Sequence, residues 1–183
     1  MGKVLLDMTM SLDGFIADRN GSVQSLYPDL SELGKTKTLQ ELIRTTGAVV
    51  MGRHAYDMAG DYTGYEYQGP IFVVTRHVPE KVAKGENERL KFTFVTDGVK
   101  SAIEKAKAAA GDEDVTVIGG ADVARQCIRA GLLDEIQIHL MPLLLGEGLR
   151  LFDDLGAEQI DLERIKVLES TTTTDIRFRV VKE

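Results

Sequence analysis

Short apolar runs constrain the fold of this 183-residue chain more than any other feature of its sequence. They cover residues 4–10, 48–51, 71–74, 92–95 and 115–118, and several of them are apolar at nearly every position. Strands that are buried on both faces have this composition, and they occur mainly in parallel sheets covered by helices. The runs therefore predict a mostly parallel sheet.

The end of the chain has a different pattern. Ile136, Ile138 and Leu140 alternate with polar residues, as do three apolar residues between positions 176 and 180. Such alternation is typical of strands with one face toward water, and it predicts an antiparallel hairpin that turns around Thr172 and Thr173.

Helical patterns separate the predicted strands. Leu39, Leu42 and Ile43 share one helical face, a second helix is expected between an N-cap at Asp97 and a C-cap at Gly111, and a third covers residues 121–130. The order of elements predicts an α/β fold, a three-layer α/β/α sandwich with a mixed, mostly parallel sheet ending in an antiparallel hairpin. No repeat or linker divides the sequence, so residues 1–183 are expected to form a single domain.

Composition limits the classes of partner. The formal net charge of −7 disfavours nucleic acid and anionic lipid, so we expect no nucleic-acid or membrane partner. No apolar run is long enough to span a membrane, and no signal peptide is evident at the N-terminus. Cys127 is the only cysteine, which fits a reducing compartment, and we expect a cytoplasmic protein.

Two glycine turns follow predicted buried strands. The first contains Gly52, Arg53 and His54, and the second contains Gly119 and Gly120, each before a helical pattern. Backbone N–H groups at a helix start bind anions, and glycine permits close approach of a phosphate. An ordinary strand-to-helix turn would also explain either segment, and the dinucleotide fingerprint G-x-G-x-x-G is absent.

A third segment follows the strand at residues 71–74. Thr75, Arg76 and His77 stand where dinucleotide-binding folds carry an acidic residue that binds a ribose hydroxyl. A hydroxyl and two potential cations instead suit a 2′-phosphate, which favours NADPH over NADH, although a solvated charged loop has the same composition.

The sequence lacks the motifs of several other kinds of catalytic or metal-binding site. The histidines His54, His77 and His139 do not have metal-ligand spacing, and no Cys-x-x-Cys occurs, so no metal site is predicted. The sequence also lacks a nucleophile elbow and a P-loop.

Taken together, four segments resemble the reductase family of riboflavin biosynthesis, the RibD C-terminal-domain-like branch of the dihydrofolate reductase superfamily. Residues 51–54 (Met-Gly-Arg-His) and 118–121 (Ile-Gly-Gly-Ala) are similar to the two glycine motifs of dihydrofolate reductases. Residues 10–17 contain Ser-Leu-Asp-Gly, and residues 142–152 read Pro-Leu-Leu-Leu-Gly-Glu-Gly-Leu-Arg-Leu-Phe; both resemble the riboflavin branch.

The resemblance implies an eight-stranded sheet with NADPH across the strand ends, and it implies a role for each matching residue. The phosphates would contact Gly52, Arg53, His54 and Ala55, while Thr75, Arg76 and His77 would approach the 2′-phosphate. The pyrophosphate would lie at Gly119, Gly120, Ala121, Asp122 and Val123, and the nicotinamide would lie between Thr9 and the pair Ile16 and Ala17.

The chain departs from its relatives at two points. It lacks the H-x-E and P-C-x-x-C motifs of the zinc deaminase that accompanies riboflavin reductases, and Thr36 stands where dihydrofolate reductases carry a carboxylate. We therefore expect an NADPH-dependent reductase of a small heterocycle, and the missing carboxylate disfavours dihydrofolate as that substrate. The alternatives are the pyrimidine reductase step, whose phosphorylated substrate favours a pocket with spare cations, and a nucleotide-binding protein without turnover.

Two acids are candidates for proton donation or substrate anchoring. Asp7 lies inside an otherwise apolar strand, and alternation along the strand places it on the same face as Thr9. From the opposite wall of the substrate site, Asp7 could take the role of the acid that is missing at Thr36. An aspartate with a purely structural role would explain its position equally well. Asp13 is the second candidate, in an Asp-Gly context that suits a turn.

A homodimer is expected as well. The run from Leu140 to Leu145 is long for the end of a strand, and apolar residues left at an edge tend to be covered. The resemblance to dimeric reductases points the same way.

Overall fold

An eight-stranded mixed sheet forms the centre of the computed structural model, which describes residues 2–29, 34–170 and 172–182. The spatial order is β5-β4-β3-β6-β1-β7-β10-β9. The strands of this sheet are β1 (Val4–Ser11), β3 (Thr46–Gly52), β4 (Ile71–Val74), β5 (Phe92–Val95), β6 (Asp114–Ile118), β7 (Glu135–Met141), β9 (Leu162–Glu169) and β10 (Thr174–Val180). Each of the apolar runs in the sequence forms one of these strands.

The parallel part of the sheet is centred on β1. Leu6 lies opposite Val117 of β6 and Ile136 of β7, and both pairings are parallel. Leu6 and Val117 are completely buried because helices cover both faces of these strands. At the end of the chain, β10 pairs antiparallel with its neighbours β7 and β9 in this sheet, which confirms the predicted hairpin.

Helices lie on both sides of the sheet and complete the three layers. They are α1 (Lys37–Thr45), α2 (Arg53–Ala59), α3 (Val99–Ala110) and α4 (Ala121–Arg129), with a short 3-10 helix at Gln24–Leu26. One core cluster joins the sheet to α3 and α4, and a second joins the opposite face to α1 and α2 through Leu42 and Tyr56. The predicted α/β/α sandwich is therefore confirmed.

Two local features differ from the sequence prediction. The N-cap of α3 is Gly98, not Asp97, because the Asp97 carboxylate instead accepts hydrogen bonds from the side chains of Ser101 and Lys105. A second, two-stranded sheet pairs β2 (Phe15–Asp18) with β8 (Gly148–Arg150), two strands too short to give a pattern of their own.

The parallel strands β1, β3, β4 and β6 end at the same edge of the sheet. Ligands of open α/β sheets bind outside the carboxyl ends of the strands, so this edge is where a site is expected. Within the described residues, no helix has both the length and the apolar character that crossing a membrane requires.

Candidate functional site

A continuous cleft runs along the carboxyl edge of the sheet. It comprises an outer cavity of about 670 Å³ beside β4, a middle cavity of about 250 Å³, and an inner cavity of about 230 Å³ that ends at His139. The outer and middle cavities share His54 and Gly120, and the middle and inner cavities share Thr9 and Gly119. Most of the residues that the sequence assigned to a cofactor line this cleft.

The two glycine turns meet at the junction of the outer and middle cavities. The N–H of Gly52 donates to the carbonyl of Gly119 at 3.4 Å. Gly119 and Gly120 have φ of 68° and 87°, and a Cβ on Gly119 would lie 2.5 Å from the Cβ of Ala55. Side chains at these positions would therefore strain the backbone or collide with the start of α2.

Helices α2 and α4 begin at these turns. Their N-caps are Gly52 and Gly120, and within the described part of the chain neither helix start receives a side-chain cap. The first N–H groups of a helix lack partners inside the helix, so those of the nine-residue α4 in particular remain available to an anion.

Cationic side chains surround the outer cavity. Arg53 is held in place, because its Nε donates to both oxygens of Asp57 at 2.8 Å and its Nη1 donates to the carbonyl of His77 at 3.1 Å. The Thr75 hydroxyl donates to the same carbonyl at 2.8 Å. Arg76 is exposed and has no carboxylate partner among the described residues, so its charge is free to meet a ligand.

Five further predicted residues differ in their placement. Asp122 and Val123 line the outer cavity, where the Asp122 carboxylate accepts a hydrogen bond from Gln126 at 2.7 Å. The side chain of Ala121 instead packs in the core, so a ligand could meet only its backbone. Ile16 and Ala17 are buried at the wall of the middle cavity.

Asp7 lies at the floor of the inner cavity. Its Oδ1 accepts hydrogen bonds from Nε2 of Gln137 and Nε2 of His139, each at 2.9 Å. His139 Nδ1 lies 2.8 Å from Oδ1 of Asp175, which also accepts from the Thr173 hydroxyl at 2.8 Å. These bonds connect β1, β7 and β10, the strands where the sheet changes from parallel to antiparallel.

His139 is positively charged in this network. Burial lowers its pKa, but the charge of Asp7 and the hydrogen bonds to Asp175 and Asp7 outweigh burial and raise the pKa to about 10. The pKa of Asp175 is lowered: burial opposes this shift, and the bond to His139 and its charge overcome it. A histidine with both ring nitrogens on carboxylates holds its proton and is poorly suited to exchange it.

Asp13 has a structural role. Its carboxylate accepts hydrogen bonds from the Ser11 hydroxyl at 2.6 Å and from the N–H groups of Leu145 and Gly146 at 3.1 and 2.7 Å. These bonds lower the pKa of Asp13, first through Ser11, and they tie the turn after β1 to the loop after β7. Of the two candidate acids, only Asp7 lines the inner cavity.

Thr36, the residue in place of the carboxylate of dihydrofolate reductases, caps a helix. Its hydroxyl accepts a hydrogen bond from the N–H of Leu39 at 3.3 Å and so begins α1. Threonine is a favoured N-cap residue, and the Thr36 side chain stabilises the first turn of α1.

Sequence reasoning missed most of the inner cavity. Four tyrosines and a glutamate line it beside Asp7, namely Tyr27, Tyr62, Tyr65, Glu66 and Tyr67. Burial raises the pKa of Tyr27 and of Tyr67, so these phenols remain neutral. The three tyrosines within residues 62–67 were a sequence signal for this aromatic lining. A second signal was the alternation along β7, which places His139 on the same face as Gln137.

Comparison with known proteins identifies the family. The model of the RibD C-terminal domain matches residues 2–175. This chain belongs to the RibD C-terminal domain family. The resemblance of the sequence to this branch of the dihydrofolate reductase superfamily is thereby confirmed.

Individual proteins are similar to this chain in sequence or in fold. The uncharacterized protein YyaP of Bacillus subtilis is 27% identical over 172 residues, which are 89% of this chain and 86% of YyaP. A Shewanella sp. PV-4 protein assigned to riboflavin biosynthesis has a TM-score of 0.80 at 23% identity, covering 98% of this chain and 99% of its own. Dihydrofolate reductase from Enterococcus faecalis, in complex with NADP(H), has a TM-score of 0.63 at 16% identity. The match covers 99% of this chain and 98% of the reductase.

The charge of His139 can be measured directly. Because its pKa is about 10 in the fold, against an ordinary 6.5, ¹⁵N NMR should show both ring nitrogens protonated at pH 8, with the His139→Gln variant identifying the signals. The stabilisation by the charged ring is complete below about pH 6.5 and is lost as the pH rises through about 10. A neutral ring at pH 7.5 would contradict the charged network.

Proposed function

We propose that this chain is an NADPH-dependent oxidoreductase, similar to pyrimidine reductases, that reduces a small heterocyclic substrate. The observation that carries the proposal is the single cleft that leads from two open glycine turns to a pocket with a carboxylate at its floor. Membership of the RibD C-terminal domain family supports it, as does the NADP(H) in the structurally similar Enterococcus faecalis enzyme.

The residues along the cleft fit NADPH. Gly52, Gly119 and Gly120 leave room for a phosphate, and the uncapped start of α4 offers N–H groups to it. We propose that Arg53, His54 and Ala55 hold the phosphates together with residues 119–123, and that Thr75, Arg76 and His77 hold the 2′-phosphate. The nicotinamide would then lie in the middle cavity, beside Thr9, Ile16 and Ala17.

NADPH supplies the hydride when it is bound. The chain's own residues position the reactants: the apolar wall of Met8, Ile16 and Ala17 excludes water from the middle cavity, which opens into the inner cavity at Thr9. Asp7 would hold a ring N–H of the substrate, since only its Oδ1 has protein partners among the described residues.

The first experiment is a cofactor titration followed by an activity screen. Purified protein is titrated with NADPH by fluorescence, and NADPH oxidation is then followed with pterins, aminopyrimidines and quinoid compounds. Turnover of one class would identify the substrate. Tight NADPH binding with no turnover across the panel would favour the nucleotide-binding alternative, and no NADPH binding would overturn the proposal.

Arg76 is expected to determine the preference for NADPH over NADH. Arg76→Glu should weaken NADPH binding about ten- to hundredfold, because a charge-assisted contact is worth roughly 1.5–3 kcal/mol. NADH binding should change far less. The control is Arg89→Glu, the same charge change on the turn before β5, at the opposite end of the strands. Equal loss for both cofactors, or no loss for either, would contradict the assignment.

Asp7→Asn tests the proposed role of Asp7 at the substrate. The asparagine carbonyl can still accept from His139, but the free carboxylate oxygen becomes an N–H₂ donor, so turnover should fall about a hundredfold or more. NADPH affinity should be retained. The matched control is Asp175→Asn, which changes the other partner of His139 outside the cavity. An equal loss of turnover in the two variants would show that Asp7 has only a structural role.

We also propose that the chain is a homodimer. Leu144 and Leu12 are 70% and 61% exposed, and they are neighbours because the N–H of Leu12 donates to the carbonyl of Leu143. Covering such a patch favours association. Sedimentation velocity at micromolar concentration should show a dimer of the 20.1 kDa chain. Leu144→Glu should shift it toward monomer, whereas Val82→Glu, at another exposed apolar residue, should not. A wild-type monomer would refute the proposal.

A further inference from the structure

The inner cavity is lined by acidic and phenolic side chains. Its lining includes two carboxylates, Asp7 and Glu66, but no lysine or arginine among the residues that the structure describes. The rest of the polar lining is mainly the phenols of Tyr27, Tyr62, Tyr65 and Tyr67. A phosphate group is normally bound by arginine, lysine or exposed backbone N–H groups.

His139 is the cation that the described residues place at the cavity, and its charge is already neutralised. His139 lies between Asp7 at 2.9 Å and Asp175 at 2.8 Å, and its side chain is only 6% exposed. One positive charge between two carboxylates leaves the network with a net negative charge. Glu66 at the cavity adds another negative charge, so the inner cavity repels anions.

The outer cavity has the opposite character. Arg53, Arg76, His54 and His77 line it beside one carboxylate, Asp122. Arg53 is paired with Asp57, but Arg76 has no carboxylate partner within the described residues. The chain as a whole carries a net charge of −7, so this concentration of basic side chains is local. The cleft therefore offers arginine side chains for phosphates at the proposed cofactor end, whereas among the described residues no arginine or lysine lines the inner end.

We propose that the inner cavity selects an unphosphorylated aromatic heterocycle that is neutral or cationic and carries ring or amino N–H groups. The tyrosine rings offer apolar faces for a flat ligand. The second oxygen of Asp7, which no described residue engages, accepts from the ligand N–H. The proposal rests on the proposed function, and it separates this chain from reductases whose substrate carries a ribose phosphate.

The test uses matched pairs of ligands that differ only by a phosphate. They are 5-amino-6-(ribosylamino)uracil and its 5′-phosphate, and uridine and its 5′-phosphate. Affinities are measured by isothermal titration calorimetry with the protein alone and with its NADPH complex. We expect the unphosphorylated member of each pair to bind at least about tenfold more tightly, which corresponds to 1.4 kcal/mol.

A charge-reversal variant makes the test specific to the cavity. Glu66→Lys should raise the affinity for the phosphorylated members by about tenfold or more. Glu88→Lys, the same change at an exposed position outside the cleft, should leave both affinities unchanged. The fluorescence titration with NADPH does not use these ligands, so it tests the proposed function separately. If NADPH does not bind, the preference between the ligands can still be measured with the protein alone.

Two results would overturn the inference. The first is equal or tighter binding of the phosphorylated members by the wild-type protein, in the presence or absence of NADPH. The second is that none of the four compounds binds, which would remove the assignment of this cavity to a heterocycle.

Discussion

Burial of β1 on both faces of the sheet is the constraint on which the rest of this structure depends. β1 has parallel partners on both sides, and its apolar side chains contact both core clusters. An ionisable residue in such a strand needs a partner, because an unpaired buried charge is costly. Asp7 finds its partner in His139 of β7, and His139 finds a second one in Asp175 of β10. The cleft thus acquires a fixed polar floor.

The same parallel arrangement creates the cleft itself. Because β1, β3, β4 and β6 run in one direction, the turns after β3 and β6 lie side by side, and the Gly52–Gly119 contact is the result. Glycine is required there, since a Cβ on Gly119 would collide with Ala55. The cleft also separates charge along its length: arginine and histidine surround the outer cavity, whereas carboxylates and neutral phenols surround the inner one. This separation gives two chemically different sites on one sheet edge.

Much of the fold could be predicted from local pattern. Runs that are apolar at every position indicate strands buried on both faces, and the alternating segments 136–140 and 176–180 indicate the antiparallel end of the sheet. The small sheet of β2 and β8 could not be predicted, because strands of four and three residues have no periodicity of their own. The N-cap of α3 was misplaced by one residue because Asp97 pairs with Ser101 and Lys105 instead.

The sequence by itself determined the parallel sheet, the two glycine turns and the family, because each depends on residues that are close together in the chain. It also marked Asp7 as unusual in its strand. The tertiary structure alone decided what Asp7 touches. Asp7 and His139 are 132 residues apart in the chain, and His139 and Asp175 are 36 residues apart. The tertiary structure alone placed the tyrosines of residues 62–67 beside Asp7 and left the inner cavity without an arginine or lysine in the described chain. Those relations depend on strand order and on loop position, which no local pattern encodes.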